Sequence, residues 1–151
     1  VCCRLAGYLD PDNPGGIQKI QLEQWISEMI IEYQEPVEDI RPSVAKADCV
    51  VLPSYREGVP RTLLEAASMG KPLIAADVAG CRDVVGDGIN GFLCEPRNSR
   101  DLFEKMVRMM NLTPEQREQM GRTGREKVIT QFEEKIVTDI YLREIEGRLR
   151  D

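Results

Sequence analysis

Glu57 and Glu65 bracket the stretch of this sequence best suited to chemistry, Pro53-Ser54-Tyr55-Arg56-Glu57-Gly58-Val59-Pro60-Arg61-Thr62-Leu63-Leu64-Glu65-Ala66. A helix opening near Pro60 or Arg61 would point the backbone N–H groups of Arg61, Thr62 and Leu63 into the preceding loop. Unpaired N–H groups and the positive end of the helix dipole make an anion site suited to a diphosphate. Glu65 falls about 200° around the helix from Leu63, off the apolar stripe of Leu63, Ala66 and Ala67. A carboxylate there can accept from both hydroxyls of a ribose. Glu57 precedes the helix and would lie beyond the diphosphate, where a hydroxylated group attached to it would sit. The competing reading is two solvated glutamates, one in a polar loop and one on an exposed helix face.

The flanking elements set the geometry. Asp48-Cys49-Val50-Val51-Leu52 reads as a buried strand, and Gly70 stops the helix that follows. Strand, polar loop and helix in that order put the loop at the carboxyl edge of a parallel sheet, where ligands bind. Upstream, Val1 to Tyr8 looks like the tail of a strand, and Asp10 to Gly16 is a loop of turn formers. Leu22, Trp25, Ile26 and Met29 predict an amphipathic helix over about 18–29. Ile30 to Tyr33 is a strand candidate, Pro36-Val37 lies in the loop beyond, and Asp39 to Ala47 is a short helix.

Downstream, Pro72 to Ala76 is a buried strand, Asp77 to Gly80 a loop, and Cys81 to Val85 the start of a short helix. Asp87 to Gly91 is a turn and Phe92-Leu93-Cys94 a strand. Ser99 is the expected cap of a helix with Leu102, Phe103, Met106, Val107 and Met110 on its apolar side, the methionines serving as packing. Thr113-Pro114-Glu115-Gln116 caps another helix running towards Phe132, and a last one carries Ile136, Val137, Ile140, Tyr141 and Ile145. Trp25 and Tyr141 are expected as core anchors. The alternation predicts an α/β fold, a Rossmann-like parallel sheet with helices on both faces, in one domain over 1–151 with a helical C-terminal extension from about 113.

Composition narrows the partners. With 42% hydrophobic and 30% charged residues the chain reads as soluble and globular, and its net charge of −6 argues against nucleic-acid binding. No apolar run approaches the roughly 20 residues that span a bilayer. The five cysteines, Cys2, Cys3, Cys49, Cys81 and Cys94, are expected as free thiols, all but Cys81 in apolar runs that read as buried strands, in a reducing compartment. The absence of histidine and of any Cys-x-x-Cys pair removes most zinc designs and every imidazole-based triad.

Glu57 to Ala66 resembles the Glu-x7-Glu motif of retaining glycosyltransferases with two Rossmann-like domains, the GT-B architecture of the group 1 or family 4 type. The similarity continues through Gly70-Lys71-Pro72-Leu73-Ile74-Ala75, Gly80 to Val85 and Gly88 to Leu93, and upstream through Asp39 to Pro42 and Ala47 to Ser54, covering about residues 36–96. A glycine common in the family is Pro60 here, a variation that resembles members building bacterial surface polysaccharides.

The resemblance implies a nucleotide-diphosphate-sugar donor held in a C-terminal domain. Glu57 would contact the donor sugar as the catalytic glutamate, orienting it and supporting developing positive charge, and Glu65 would take the ribose hydroxyls. Gly58, Val59, Arg61, Thr62 and Leu63 would line the sugar and phosphates, Val37 would hold the base edge, and Ser54 would lie nearby. It implies no metal and no other cofactor, with the anomeric configuration retained through front-face attack. The family's basic residues on the diphosphate have no counterpart found here, nor has the acceptor-binding N-terminal half. The chain is therefore expected to be a truncated donor-binding half, inactive in sugar transfer alone, from a cytoplasmic enzyme reaching a saccharide or lipid-linked acceptor through the missing half, which could also hold it peripherally at the inner face of a membrane. A nucleotide-sugar epimerase or phosphorylase of the same architecture, or a non-catalytic nucleotide-binding module, stand as alternatives.

Overall fold

The computed structural model describes residues 2–10 and 16–148; the expectations for Val1 and for the loop residues 11–15 fall outside these. The elements run β1 (Arg4–Ala6), α1 (Lys19–Ser27), β2 (Glu32–Gln34), α2 (Arg41–Lys46), β3 (Val50–Leu52), α3 (Arg61–Ser68), β4 (Leu73–Ala76), α4 (Ala79–Val84), β5 (Gly91–Cys94), α5 (Ser99–Met110), α6 (Pro114–Gln131) and α7 (Glu134–Arg148). They group into two compact units, residues 1–40 and 41–151. Where the sequence predicts one parallel sheet, the strands register as two, β1-β2 and β3-β4-β5, both parallel.

In the first unit, β1 and β2 have three residues each, none of them buried, so backbone pairing and edge contacts hold them more than burial does. Arg4 reaches Glu32 at 2.7 Å and the Tyr33 hydroxyl donates to the Gly7 carbonyl at 2.8 Å. Leu22 is the buried residue of α1, and Trp25 is only half-buried rather than a full core anchor. The helix cannot bury more of its apolar residues against so small a sheet.

In the second unit the period of two along each strand sorts side chains to opposite faces. Leu73 and Ala75 of β4 pack with Leu63, Ala66 and Ala67 of α3 and Cys81 and Val84 of α4, with Val50, Leu52, Val128 and Phe132 at the margin. Ile74 and Phe92 face the other way, onto Met109, with Leu102, Met106 and Met120 around them. Helices therefore cover both faces, and β4, buried at all four positions, is the central strand. Asn90 pins the α4–β5 connection from inside: its side chain accepts from Gly86 N–H at 2.7 Å and donates to Val84 O at 3.0 Å.

The Thr113 capping box forms as predicted, with Gln116 bonding back to the Thr113 N–H. At α5 the cap is Asn98, not Ser99; its side chain accepts from Asp101 N–H at 3.0 Å, and the amide outcompetes the neighbouring hydroxyl by starting the helix one residue earlier. α4 begins at Ala79, so Gly80 is helical rather than in the loop. On α7, Tyr141 is 66% exposed and no core anchor, and the side chains of Val137 and Ile140 lie outside those described.

All five cysteines are free, but Cys2 is exposed rather than buried, Cys3 and Cys49 are half-buried, and Cys81 and Cys94 are buried. Burial, with Asp48 adding, pushes the Cys49 thiol up to about 12. The folded state thus holds that proton more tightly than the unfolded chain, and this contribution to stability is lost as pH rises from the ordinary thiol range towards that value. Burial raises Cys81 and Cys94 as well, with the charges of Glu57 and Asp101 respectively next in effect. Iodoacetamide treatment of the native protein at mildly alkaline pH is expected to label only Cys2 and Cys3, read by mass spectrometry. Rapid labelling of Cys81 or Cys94 without denaturant would contradict this packing.

Candidate functional site

β3 ends at Leu52, residues 53–60 form an irregular loop, and α3 starts at Arg61 with buried Pro60 in the N-cap position, φ −75° and ψ 118°. Proline suits this place because it has no N–H to leave unpaired. Its carbonyl accepts from Leu63 N–H at 3.1 Å and from Leu64 N–H at 3.2 Å. Of the three N–H groups expected to face a ligand, that of Leu63 is therefore already spent inside the first turn. No side chain caps this end, so the Arg61 and Thr62 N–H groups carry the positive pole.

Leu63, Ala66 and Ala67 are fully buried, which turns Glu65 outward as the helical spacing predicts. Arg61 approaches the Glu65 carboxylate at 3.6 Å from one turn before it, with the Arg61 side chain 90% exposed. An exposed pair of this spacing is worth only about 0.3–0.5 kcal/mol, so it does not lock Glu65 against another partner. Ser54 and Glu57 are half-buried, and Gly58 and Val59 are exposed. Val37 lies in the first unit, exposed beyond β2.

Other groups gather at the carboxyl ends of the same three strands. After β4, Asp77 holds Arg82 of α4 at 2.5 Å, the salt bridge that competes with any ligand role for Arg82. After β5, the Arg97 guanidinium lies over the Tyr55 ring, 5.2 Å from its centroid. The least anticipated residue is Gly80. A β-carbon on it would fall 1.5 Å from the Gly58 oxygen and 2.7 Å from the Glu57 oxygen, so α4 packs backbone to backbone against the Glu57 and Gly58 carbonyls. A glycine in the first turn of a short helix, outside any special φ, is the one signal of such an approach that the sequence carries.

The second unit thus has a parallel sheet with helices on both faces, and beyond its carboxyl edge an uncapped helix start preceded by Glu57 and carrying Glu65. Residues 18–127 match the family described as Glycosyl transferases group 1, and the chain belongs to that family. Among curated relatives, the N,N'-diacetylbacillosaminyl-diphospho-undecaprenol alpha-1,3-N-acetylgalactosaminyltransferase of Campylobacter jejuni is 27% identical over 120 residues, covering 80% of this chain and 31% of its own length. Among solved structures, a glycosyltransferase from Rickettsia africae superposes with a TM-score of 0.84 at 20% identity, covering 99% of this chain and 40% of its own. Anabaena HepE in complex with UDP-glucose gives 0.74 at 22% identity, covering 85% and 36%. The chain spans under a third of the length of the curated relatives it matches. Among the described residues, no helix is long and apolar enough to cross a membrane.

Proposed function

We propose that this chain supplies the nucleotide-diphosphate-sugar site of a retaining glycosyltransferase that builds a polysaccharide or glycolipid. The observation that carries the reading is the uncapped start of α3, with Glu57 in the loop before it and Glu65 on an exposed position one turn into it. That arrangement fits a diphosphate flanked by a ribose on one side and a sugar on the other. The family, and the UDP-glucose held by a structural neighbour, support the same ligand class. The lipid-diphosphate named for the Campylobacter relative supports a lipid-linked acceptor.

In this reading the diphosphate sits on the Arg61 and Thr62 N–H groups, with the Arg61 guanidinium free to swing onto it. The leaving charge is stabilised by a fixed dipole and a cation, without a metal. Gly58 and Val59 line the sugar, and Ser54 stands at the base of the loop. Glu65 accepts from the ribose hydroxyls. Glu57 orients the sugar and supports positive charge developing at its anomeric carbon. The leaving phosphate takes the acceptor's proton on the face it departs from, so configuration is retained. Positioning supplies most of the acceleration. Activated sugars of this kind are cytoplasmic, and the reading places the enzyme there.

The test is thermal unfolding with UDP-, GDP- and ADP-sugars, one of which is expected to raise the melting temperature. In the full-length enzyme, Glu65→Ala is expected to weaken donor binding roughly tenfold to a hundredfold, the scale of a lost charged hydrogen bond. Glu57→Ala should lower turnover more than affinity. No stabilisation by any of the sugars would leave a non-catalytic module, and negligible effects from both substitutions would sink the assignment.

A further inference from the structure

The loop that carries Glu57 is held in an unusual way. Residues 54–59 make no backbone hydrogen bond among the described residues. Among the contacts that hold it are the packing of Gly58 on Gly80 and the contact of Tyr55 with Arg97. The turn on the other side of that contact is rigid. Asn98 N–H donates to Glu95 O at 3.2 Å, the Asn98 side chain donates to the Glu95 carboxylate at 2.7 Å, and Glu95 N–H donates to Asp101 at 2.6 Å. Arg97 sits in this turn with φ +63°, a left-handed backbone that favours glycine and that a branched or long side chain occupies at a cost. A strained position filled by a residue that gains nothing locally points to a role elsewhere. The guanidinium over an aromatic ring is the gain on view.

We propose that Arg97 and Tyr55 form a strap that fixes the 53–60 loop to the rigid β5–α5 turn, making both residues positioning residues for Glu57 and the start of α3. The strap acts through the loop and needs no contact with the ligand. Its effect on binding rests on the donor-site reading above. The loop is open to solvent on Tyr55, which is 61% exposed, so without the strap its conformers multiply and the bound geometry becomes a minor one.

The decisive variant is Arg97→Gly, because it removes the strap while relieving the backbone. Folding stability is expected to stay level or rise, while the backbone order parameters of residues 54–58, read by 15N relaxation, fall. UDP, GDP and ADP are titrated into the unaltered chain, and the tightest is carried to the variants. Its affinity is expected to fall roughly threefold to tenfold in Arg97→Gly and in Tyr55→Ala, with no further loss in the double variant, and to stay unchanged in Tyr55→Phe, which keeps the ring. Unchanged order parameters in the loop overturn the strap whatever binds. Lower order parameters with full affinity in Arg97→Gly, while Glu65→Ala weakens binding, overturn its positioning role and leave the donor site standing. Binding of none of the three nucleotides to the unaltered chain overturns the donor-site reading, and this inference with it.

Discussion

Gly80→Ala is expected to destabilise the fold by about 3 kcal/mol, the upper part of the usual overpacking range, and to remove nucleotide binding with it. Two effects oppose each other. Alanine is the better helix former by up to ~1 kcal/mol, which alone would make the substitution favourable in α4. The new β-carbon would meet the Gly58 carbonyl oxygen at 1.5 Å and its carbon at 2.2 Å, distances no non-bonded atoms tolerate. The obstacle is backbone rather than a flexible side-chain tip, so it cannot turn away. Either α4 lifts from the sheet, exposing Cys81 and Val84, which are fully buried, or the Gly58 carbonyl and the loop around it move. The first route costs core burial and the second costs the site. Urea denaturation and nucleotide titration on the same sample separate them. Ala79→Gly, one residue earlier in the same helix, controls for propensity. A Gly80→Ala protein with unaltered stability and affinity would show that α4 does not support the loop.

The parts of this molecule that were legible in the sequence are those decided by neighbours along the chain. Leu73 to Ala76 reads as a buried strand because four apolar residues in a row admit little else, and the α3 stripe follows from a spacing that also turns Glu65 outward. The Thr113 box is local for the same reason. What escaped depends on partners distant in sequence. Nothing near Gly80 announces Gly58, and nothing near Arg97 announces Tyr55. The Leu63 N–H was lost to a local detail, the tight first turn in which the Pro60 carbonyl accepts from both Leu63 and Leu64. Propensity does not distinguish that turn from an open one. Three-residue strands with exposed faces carry almost no periodic signal, which is why β1 and β2 could be named but not assigned to a sheet of their own.

Gly121→Ala is the second substitution expected to act strongly, and again against helix propensity. Gly121 lies inside α6, where glycine costs ~1 kcal/mol relative to alanine, so a reading from the helix alone predicts stabilisation. Its surroundings reverse the sign. α3 ends in a Schellman turn, with Gly70 N–H donating to Ala67 O at 2.8 Å and Lys71 N–H to Ala66 O at 3.0 Å, and Gly70 itself at φ +71°. The Gly70 carbonyl this turn directs outward would lie 1.8 Å from a β-carbon on Gly121. The end of α3 and the middle of α6 thus meet there too closely for a methyl group. One turn on, Gly124 rests against Asn90, where a β-carbon would meet the side-chain nitrogen at 3.3 Å. α6 cannot slide along the seam to relieve the clash without pressing on that buried amide. A loss of about 2–3 kcal/mol is expected, read as a lower urea midpoint with an unchanged slope. The damage falls at the far end of α3 from Arg61 and Thr62, so nucleotide affinity of the fraction that remains folded should change far less than in Gly80→Ala. A Gly121→Ala protein more stable than the parent would mean that α6 packs on α3 through some other line of contact.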